Sequence, residues 1–406
     1  MKCRKNVHGM IEEIKQKTRE LYPRLLTIRR HLHQYPELSF QEKNTALYIQ
    51  KLLDENGIPF VAGVGGTGIV ATIIGEKEEY EKTIALRADM DALPIDEQNE
   101  VSYKSKHPGI MHACGHDVHM TSLLGALFTL NELRSKFAGK VRCIFQPGEE
   151  LSPGGASLMI KEGVLENPEP IGIIGQHVYP TLKAGQVGFR SGMMMASSDE
   201  LEIRIRGKGG HGAVPHQAVD PILIASHVIT ACQQIVSRIG NPAIPTVLNI
   251  GSIQSVGGTY NVIPDEVHLK GTFRTFDENW RKEGLKRIKK LIEGMARSMG
   301  GDAEITIRKG YPFLVNEEGL TEKCRKYAQE FLGIENVKEL PMRLTSEDFA
   351  FYTHIIPGCF YRLGTDNEEG DYSHQVHSGQ FNIDEEALQT GAGLMAWLAI
   401  CSLKDQ

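Results

Sequence analysis

The segment HPGIMHACGHDVHM, His107–Met120, holds four histidines, one cysteine and one aspartate within fourteen residues. Imidazole and thiolate together suit zinc and related transition metals better than calcium or magnesium. The apolar stretch that follows, Thr121–Leu130, has helical spacing at Leu123, Leu124, Leu127 and Leu130. Cys114 and His116 are therefore expected in a turn at a helix amino terminus, where the dipole favours thiolate. A divalent cation there would lower the thiol pKa further and bind the sulfur. Alone, a Cys-x-His pair reads more simply as an inert buried cysteine beside surface histidines. The density of histidine around this pair favours a metal site.

Further acid–base groups follow apolar runs. Glu149 and Glu150 come after Val141–Phe145 and the turn Gln146-Pro147-Gly148. Adjacent carboxylates can divide labour, one ligating metal while the other faces water as general base. His177 follows Ile171–Gly175, and Asp89 and Asp91 follow Thr83–Arg87. Carboxylates so placed often orient a ligating imidazole. His211 in GKGGHGAVPH and His377 in QVHSGQF, each taken alone, are ordinary surface or core residues. The glycine-rich stretch around His211 lacks the Lys-Ser/Thr of a phosphate loop.

These groups need a scaffold. The first half alternates short, nearly continuous apolar strands with helical stretches, the pattern of an α/β domain with a mostly parallel sheet. In open α/β sheets ligands bind beyond the carboxyl ends of strands. Three strand ends therefore aim carboxylates and an imidazole at one edge. From about Asp199 the texture changes: Leu201, Ile203 and Ile205 alternate with charged residues, as in a half-exposed strand. A helix capped by Asp220 with Pro221 at its first position follows. Then come strands near Thr246–Ile253 and Glu266–Thr275, a charged helix from Asp277 to about Ser298, and a strand Ala303–Arg308. The order β-α-β-β-α-β predicts a ferredoxin-like module. The expected layout is a catalytic domain of residues 1–190 and 310–406, interrupted by a smaller α+β domain of 191–309. A last helix is expected from Asp384.

Composition bounds the partners. At 406 residues the chain suits two domains. A net charge of −6 with scattered Lys and Arg argues against nucleic acid. No run reaches the roughly 18 apolar residues of a membrane span. The N-terminal segment reads as a charged amphipathic helix and not a signal peptide. Seven widely spaced cysteines without a CxxC pair suggest no disulfide framework, and a cytoplasmic location is expected.

The motifs RRHLHQYPELSFQE (29–42), ALRADMDALPI (85–95), HPGIMHACGHDVHM (107–120), QPGEE (146–150), GKGGHGAVPH (207–216), NVIPDEV (261–267), GTFRTF (271–276) and SEDFAFY (346–352) occur in that order. Together they resemble the amidohydrolase subgroup of the aminoacylase and carboxypeptidase metalloenzymes. That subgroup includes indole-3-acetyl-amino acid hydrolases, hippurate hydrolases and N-acetyl-diaminopimelate deacetylases. The resemblance implies a zinc-peptidase-like catalytic domain with a ferredoxin-like lid, and two divalent ions (Mn, Zn, Co or Ni). It implies Cys114, His116, Glu150, His177 and His377 as metal ligands, Cys114 bridging, with Glu149 as general base. Asp91 or Asp89 would support the ligands; sequence does not separate them. His211 would stabilise the oxyanion, in related enzymes from the other subunit, and Asn261 and Arg274 would hold the substrate carboxylate. A lid hinged near Gly188–Ser198 would close over the site. The expected reaction is hydrolysis of an N-acyl amino acid by a homodimer formed through the lid, or a tetramer. Peptide-bond cleavage by a carboxypeptidase or dipeptidase is the rival reaction, and a non-catalytic metal-binding module the rival class. After His377 the sequence reads Ser378-Gly379-Gln380-Phe381 where many relatives have Pro, so a different loop with the ligand retained is expected.

Overall fold

A computed structural model describes residues 2–78, 81–257 and 259–404, and side chains from Val7 onward. Met1 and the side chain of Cys3 therefore lie outside the described residues. The chain divides into two compact units, Met1–Gly192 with Val315–Pro341 and Asp348–Gln406, and Met193–Leu314 with Met342–Glu347.

The first unit is built on an eight-stranded mixed sheet. Its order is Phe60–Val64, Gly68–Ile74, Lys140–Gln146, Thr83–Asp89, Ile173–Lys183, Gly358–Asp366, Val187–Phe189 and Val337–Glu339. The four central strands, from Lys140–Gln146 to Gly358–Asp366, pair in parallel. Every residue of Thr83–Asp89 is buried, as its continuous apolar run predicts for a strand covered on both faces. Two helices apolar around their circumference, His116–Glu132 and Ala387–Lys404, pack on each other. The N-terminal helix Lys2–Gln34 contacts both. It buries Ile11, Ile14, Leu25, Ile28 and Leu32, positions that share one face at 3.6 residues per turn.

The second unit has a four-stranded antiparallel sheet in the order Thr246–Ser255, Glu266–Thr275, Asp199–Arg206, Asp302–Lys309. Chain order and sheet order together give the ferredoxin-like arrangement. Leu201, Ile203 and Ile205 are buried while their neighbours face outward, so the alternation became one core face. Helices Pro221–Gln234 and Glu278–Ser298 pack on that core. Asp220 Oδ1 accepts from Ile222 N at 2.8 Å, the expected cap. With its continuation to Ile239, the Pro221 helix is long and apolar enough to cross a membrane by composition. Here Ile224, Ala225, Val228, Cys232 and Ile235 of that helix lie in the unit's core.

Three element expectations shift. The strand expected at Ile171–Gly175 runs from Ile173 to Lys183, so His177 sits within it, opposite Arg362 of a neighbouring strand. The last helix begins at Ala387, because Asp384 forms a preceding turn, its backbone oxygen accepting from Ala387 N at 3.1 Å. The second unit gains Met342–Glu347, where Arg343 N donates to Met194 O and Ala196 N to Thr345 O. Pairing across some 150 residues leaves no local periodicity to read.

Candidate metal centre

Cys114 and His116 flank Gly115, which caps the His116–Glu132 helix at φ +79°. A Cβ at this glycine would meet Val178 Cγ2 at 2.6 Å. The turn that separates the two candidate ligands therefore requires glycine twice over, for its backbone angle and for space. His377 adopts a left-handed φ of 64°, and its amide donates to Ala113 O at 2.8 Å, which ties it to the Cys114 turn. The Ser378–Phe381 stretch closes as a turn, with Phe381 N donating to Ser378 O at 3.0 Å.

The five expected ligands converge as two triads, Cys114–His116–His177 and Cys114–Glu150–His377, with Cys114 common to both. Within each triad the candidate ligand atoms lie within 4.8 Å of one another. Cys114 Sγ is 3.4 Å from His177 Nε2, and Glu150 Oε1 is 3.2 Å from His377 Nε2. Tetrahedral coordination with bonds of about 2.0–2.3 Å puts neighbouring ligand atoms about 3.5 Å apart. These separations fit ligands that share an ion.

The ring orientations agree. His177 Nδ1 donates to Val178 O at 2.8 Å, which leaves Nε2 directed at Cys114. His116 Nδ1 meets Asp91 Oδ1 at 3.2 Å, and its Nε2 is buried without a hydrogen-bond partner. An orphaned imidazole nitrogen of this kind is what a metal would satisfy. A third group, Asp89–His116–His119, is also compact. His119, however, uses Nδ1 on Asp89 at 2.6 Å and accepts Val178 N at Nε2 (2.9 Å). Both its nitrogens are engaged, so His119 is a spacer and not a ligand.

Electrostatics correct one expectation. Burial, reinforced by Glu150, Glu149 and Asp89, pushes the Cys114 thiol well above its ordinary pKa. The helix dipole therefore does not produce a thiolate; only the charge of a bound cation would. For His116 burial works against charge, yet Asp89, Asp91 and Glu150 outweigh it and raise the imidazole to about 10. His177 goes the other way, held well below its usual value by burial and by Arg362 and His119. A buried cluster so rich in carboxylates is an environment for cations.

Glu149 is 6% exposed, and its Oε1 accepts from Asp348 N at 3.3 Å. Asp89 connects to His119 and to the buried Arg87, whose Nη1 donates to Asp89 Oδ2 at 2.6 Å. Sequence reasoning gave no role to His119, Arg87, Ser39 or Asp348. Ser39 Oγ donates to Asp91 Oδ2 at 2.6 Å. The helical spacing of His119 from His116 was the one local signal available, since it sets both on one face.

His211, Asn261 and Arg274 belong to the second unit. His211 and Val262 pair across two short strands, and Gly212 N donates to Asn261 O at 2.7 Å, so His211 and Asn261 are neighbours. Arg274 lies on Glu266–Thr275 and donates from Nη1 to Leu344 O at 3.0 Å.

The sequence and the fold have known relatives. N-acetyl-L-cysteine deacetylase of Bacillus subtilis (strain 168) is 43% identical over 368 residues, 91% of this chain and 85% of its own. Thermostable carboxypeptidase 1 of Saccharolobus solfataricus is 36% identical over 96% of this chain and 98% of its own. The YXEP protein of Bacillus subtilis, described as a dinuclear metal-binding peptidase of the M20 family, is 34% identical with a TM-score of 0.80. That likeness covers 95% of this chain and 99% of YXEP. The model of peptidase family M20/M25/M40 matches residues 85–400, a span that contains every group of the two triads, and the chain belongs to that family.

Proposed function

We propose that the protein hydrolyses the amide bond of N-acyl amino acids, releasing a carboxylic acid and a free amino acid. The observation that carries this reading is the pair of triads sharing Cys114, with Glu149 beside the ligand Glu150. Cys114, His116 and His177 would hold one divalent ion, and Cys114, Glu150 and His377 a second. Manganese, zinc, cobalt and nickel all suit such mixed sulfur, nitrogen and oxygen ligands. When bound, the ions would supply Lewis acidity and lower the pKa of bound water to about 7. Glu149 accepts the water proton and returns it to the leaving amine. Asp91 holds His116 through Nδ1, and Asp89 holds His119. We assign the developing oxyanion to His211, and the substrate carboxylate to Asn261 and Arg274, because a guanidinium fork pairs with carboxylate through two bonds.

The name of the deacetylase relative supports N-acyl substrates, and the carboxypeptidase relative makes peptide cleavage the alternative. We further propose a homodimer formed through the second unit. Thr246–Ser255 is an edge strand, with Ile253 on it and Val256 after it exposed, and Leu223 on a helix of the same unit is exposed too. Edge strands invite pairing with a second chain. Among the described residues six cysteines are free and buried, which fits a reducing cytoplasm.

The deciding experiment is a turnover screen of N-acetyl, N-benzoyl and indole-acetyl amino acids and of dipeptides, with and without added Mn²⁺. Metal-dependent release of amino acid from the N-acyl series is expected. Faster cleavage of the dipeptides would favour the peptidase reading. No turnover of any of them under either condition would leave a metal-binding module.

A further inference from the structure

One acidic residue outside the two triads, Asp348, bonds to both ends of the loop that carries Glu149 and to Glu149 itself. Asp348 is fully buried and accepts four hydrogen bonds from three donors. Arg87 Nη2 donates to its Oδ1 at 2.7 Å. Gln146 Nε2 reaches both oxygens, at 2.9 and 2.8 Å. Ala156 N donates to Oδ2 at 3.0 Å. Gln146 is the last residue of its strand and Ala156 lies in the first turn of the next helix, so these two donors stand at opposite ends of the loop that carries Glu149 and Glu150. The loop is itself tight, with Gly155 N donating to Gly148 O at 3.1 Å. The amide of Asp348 then donates to Glu149 Oε1.

We propose that Asp348 is a positioning residue for Glu149, stapling both ends of the loop that bears it and orienting its carboxylate through a backbone N–H. The proposal rests on Glu149 as the general base. Asp348 is not itself a rival base or ligand, because its oxygens are already committed to Arg87, Gln146 and Ala156. Arg87 extends the staple: its Nε donates to Gln146 Oε1 at 2.9 Å and its Nη1 to Asp89. One guanidinium thus joins the Glu149 loop to the strand end that holds His119. A base must sit within hydrogen-bond reach of the proton it takes, and displacement of about 1 Å can cost about a hundredfold in rate.

The test compares Asp348→Asn, Glu149→Gln and the double variant in the metal-loaded enzyme, reading kcat, KM and metal content by elemental analysis. Asparagine keeps the volume but sets an amide NH₂ against the staple's donors. Asp348→Asn should lower kcat about ten- to hundredfold with KM and metal content unchanged. In the Glu149→Gln background it should cause no further loss, because its effect runs through the missing base. Unchanged kcat, an equal fold-loss in both backgrounds, or loss of metal alongside activity would each overturn the proposal. Near-normal turnover by Glu149→Gln alone removes the base assignment itself, an outcome distinct from those three. If Asp348→Asn does not fold, Gln146→Met removes the Nε2 donor without changing any charge and is held to the same readings.

Discussion

Asp91 and His116 meet at 3.2 Å, Oδ1 to Nδ1, while the other oxygen of Asp91 accepts from Glu150 N at 2.9 Å. One buried carboxylate therefore orients two candidate ligands, an imidazole through its side chain and a glutamate through its backbone. Asp89 does something different, facing His119 and Arg87. The two aspartates that the sequence could not tell apart thus have separate tasks.

Asp91→Asn should weaken metal binding about ten- to hundredfold, since the partner that fixes a ligating histidine is worth roughly that much. Competition with a chelator of known affinity measures it. An affinity equal to the wild type would mean that His116 is held by its helix alone.

Cys114 is the candidate ligand common to both triads. Its thiol is held well above the ordinary range by burial and by Glu150, Glu149 and Asp89, so the metal-free protein carries it protonated. Metal loading at pH 8 should therefore release a proton from sulfur, and cobalt should give a near-ultraviolet thiolate-to-metal absorption band. Cys114→Ala should lose the band and bind less than the full complement of ions. An unaltered stoichiometry in that variant excludes a bridging thiolate.

Cys114, His116 and Glu150 were legible as candidate ligands because HPGIMHACGHDVHM and QPGEE are local motifs, and chemistry packed into a short stretch survives without three-dimensional knowledge. The ferredoxin-like module was legible through alternation at Leu201, Ile203 and Ile205 and the Asp220-Pro221 cap. Asp348 was not, because its partner Gln146 lies 202 positions away and no periodicity links them. The burial and carboxylates that outweigh the helix dipole at Cys114 were not legible for a related reason. A helix dipole can be read from sequence, whereas burial among carboxylates from two other segments cannot. Arg29 and His33 were visible within RRHLHQ, but their purpose lies in Asp117, more than eighty residues on.

That last cluster makes stability depend on pH. His33 is buried, with Nδ1 at 2.8 Å from Asp117 and Nε2 at 3.1 Å from Glu97. Burial and Arg29 oppose its charge, but Asp117 and Glu97 outweigh them and raise its pKa. A raised folded pKa means stabilisation fully present below the unfolded value of about 6.5 and lost as pH rises through the folded value. His33→Gln should therefore cost more at pH 6, about 3 kcal/mol for a broken buried pair, than at pH 9. Urea unfolding of both proteins at the two pH values gives the comparison. A gap that stays constant with pH would mean His33 is neutral in the folded protein.

The outer surface of the Pro221–Gln234 helix offers a test of assembly. Leu223 is 51% exposed, on the opposite side from the core residues Ile224 and Val228. A leucine so placed contributes little to the unit's own core, but its burial against a second chain would contribute about 2 kcal/mol. Leu223→Asp would set a charge in such an interface while leaving the Asp220 cap and the buried face untouched. The variant should sediment as a monomer at micromolar concentration where the wild type sediments as a dimer, with metal content the same in both. If the two proteins sediment alike, the Leu223 face is not where the chains meet.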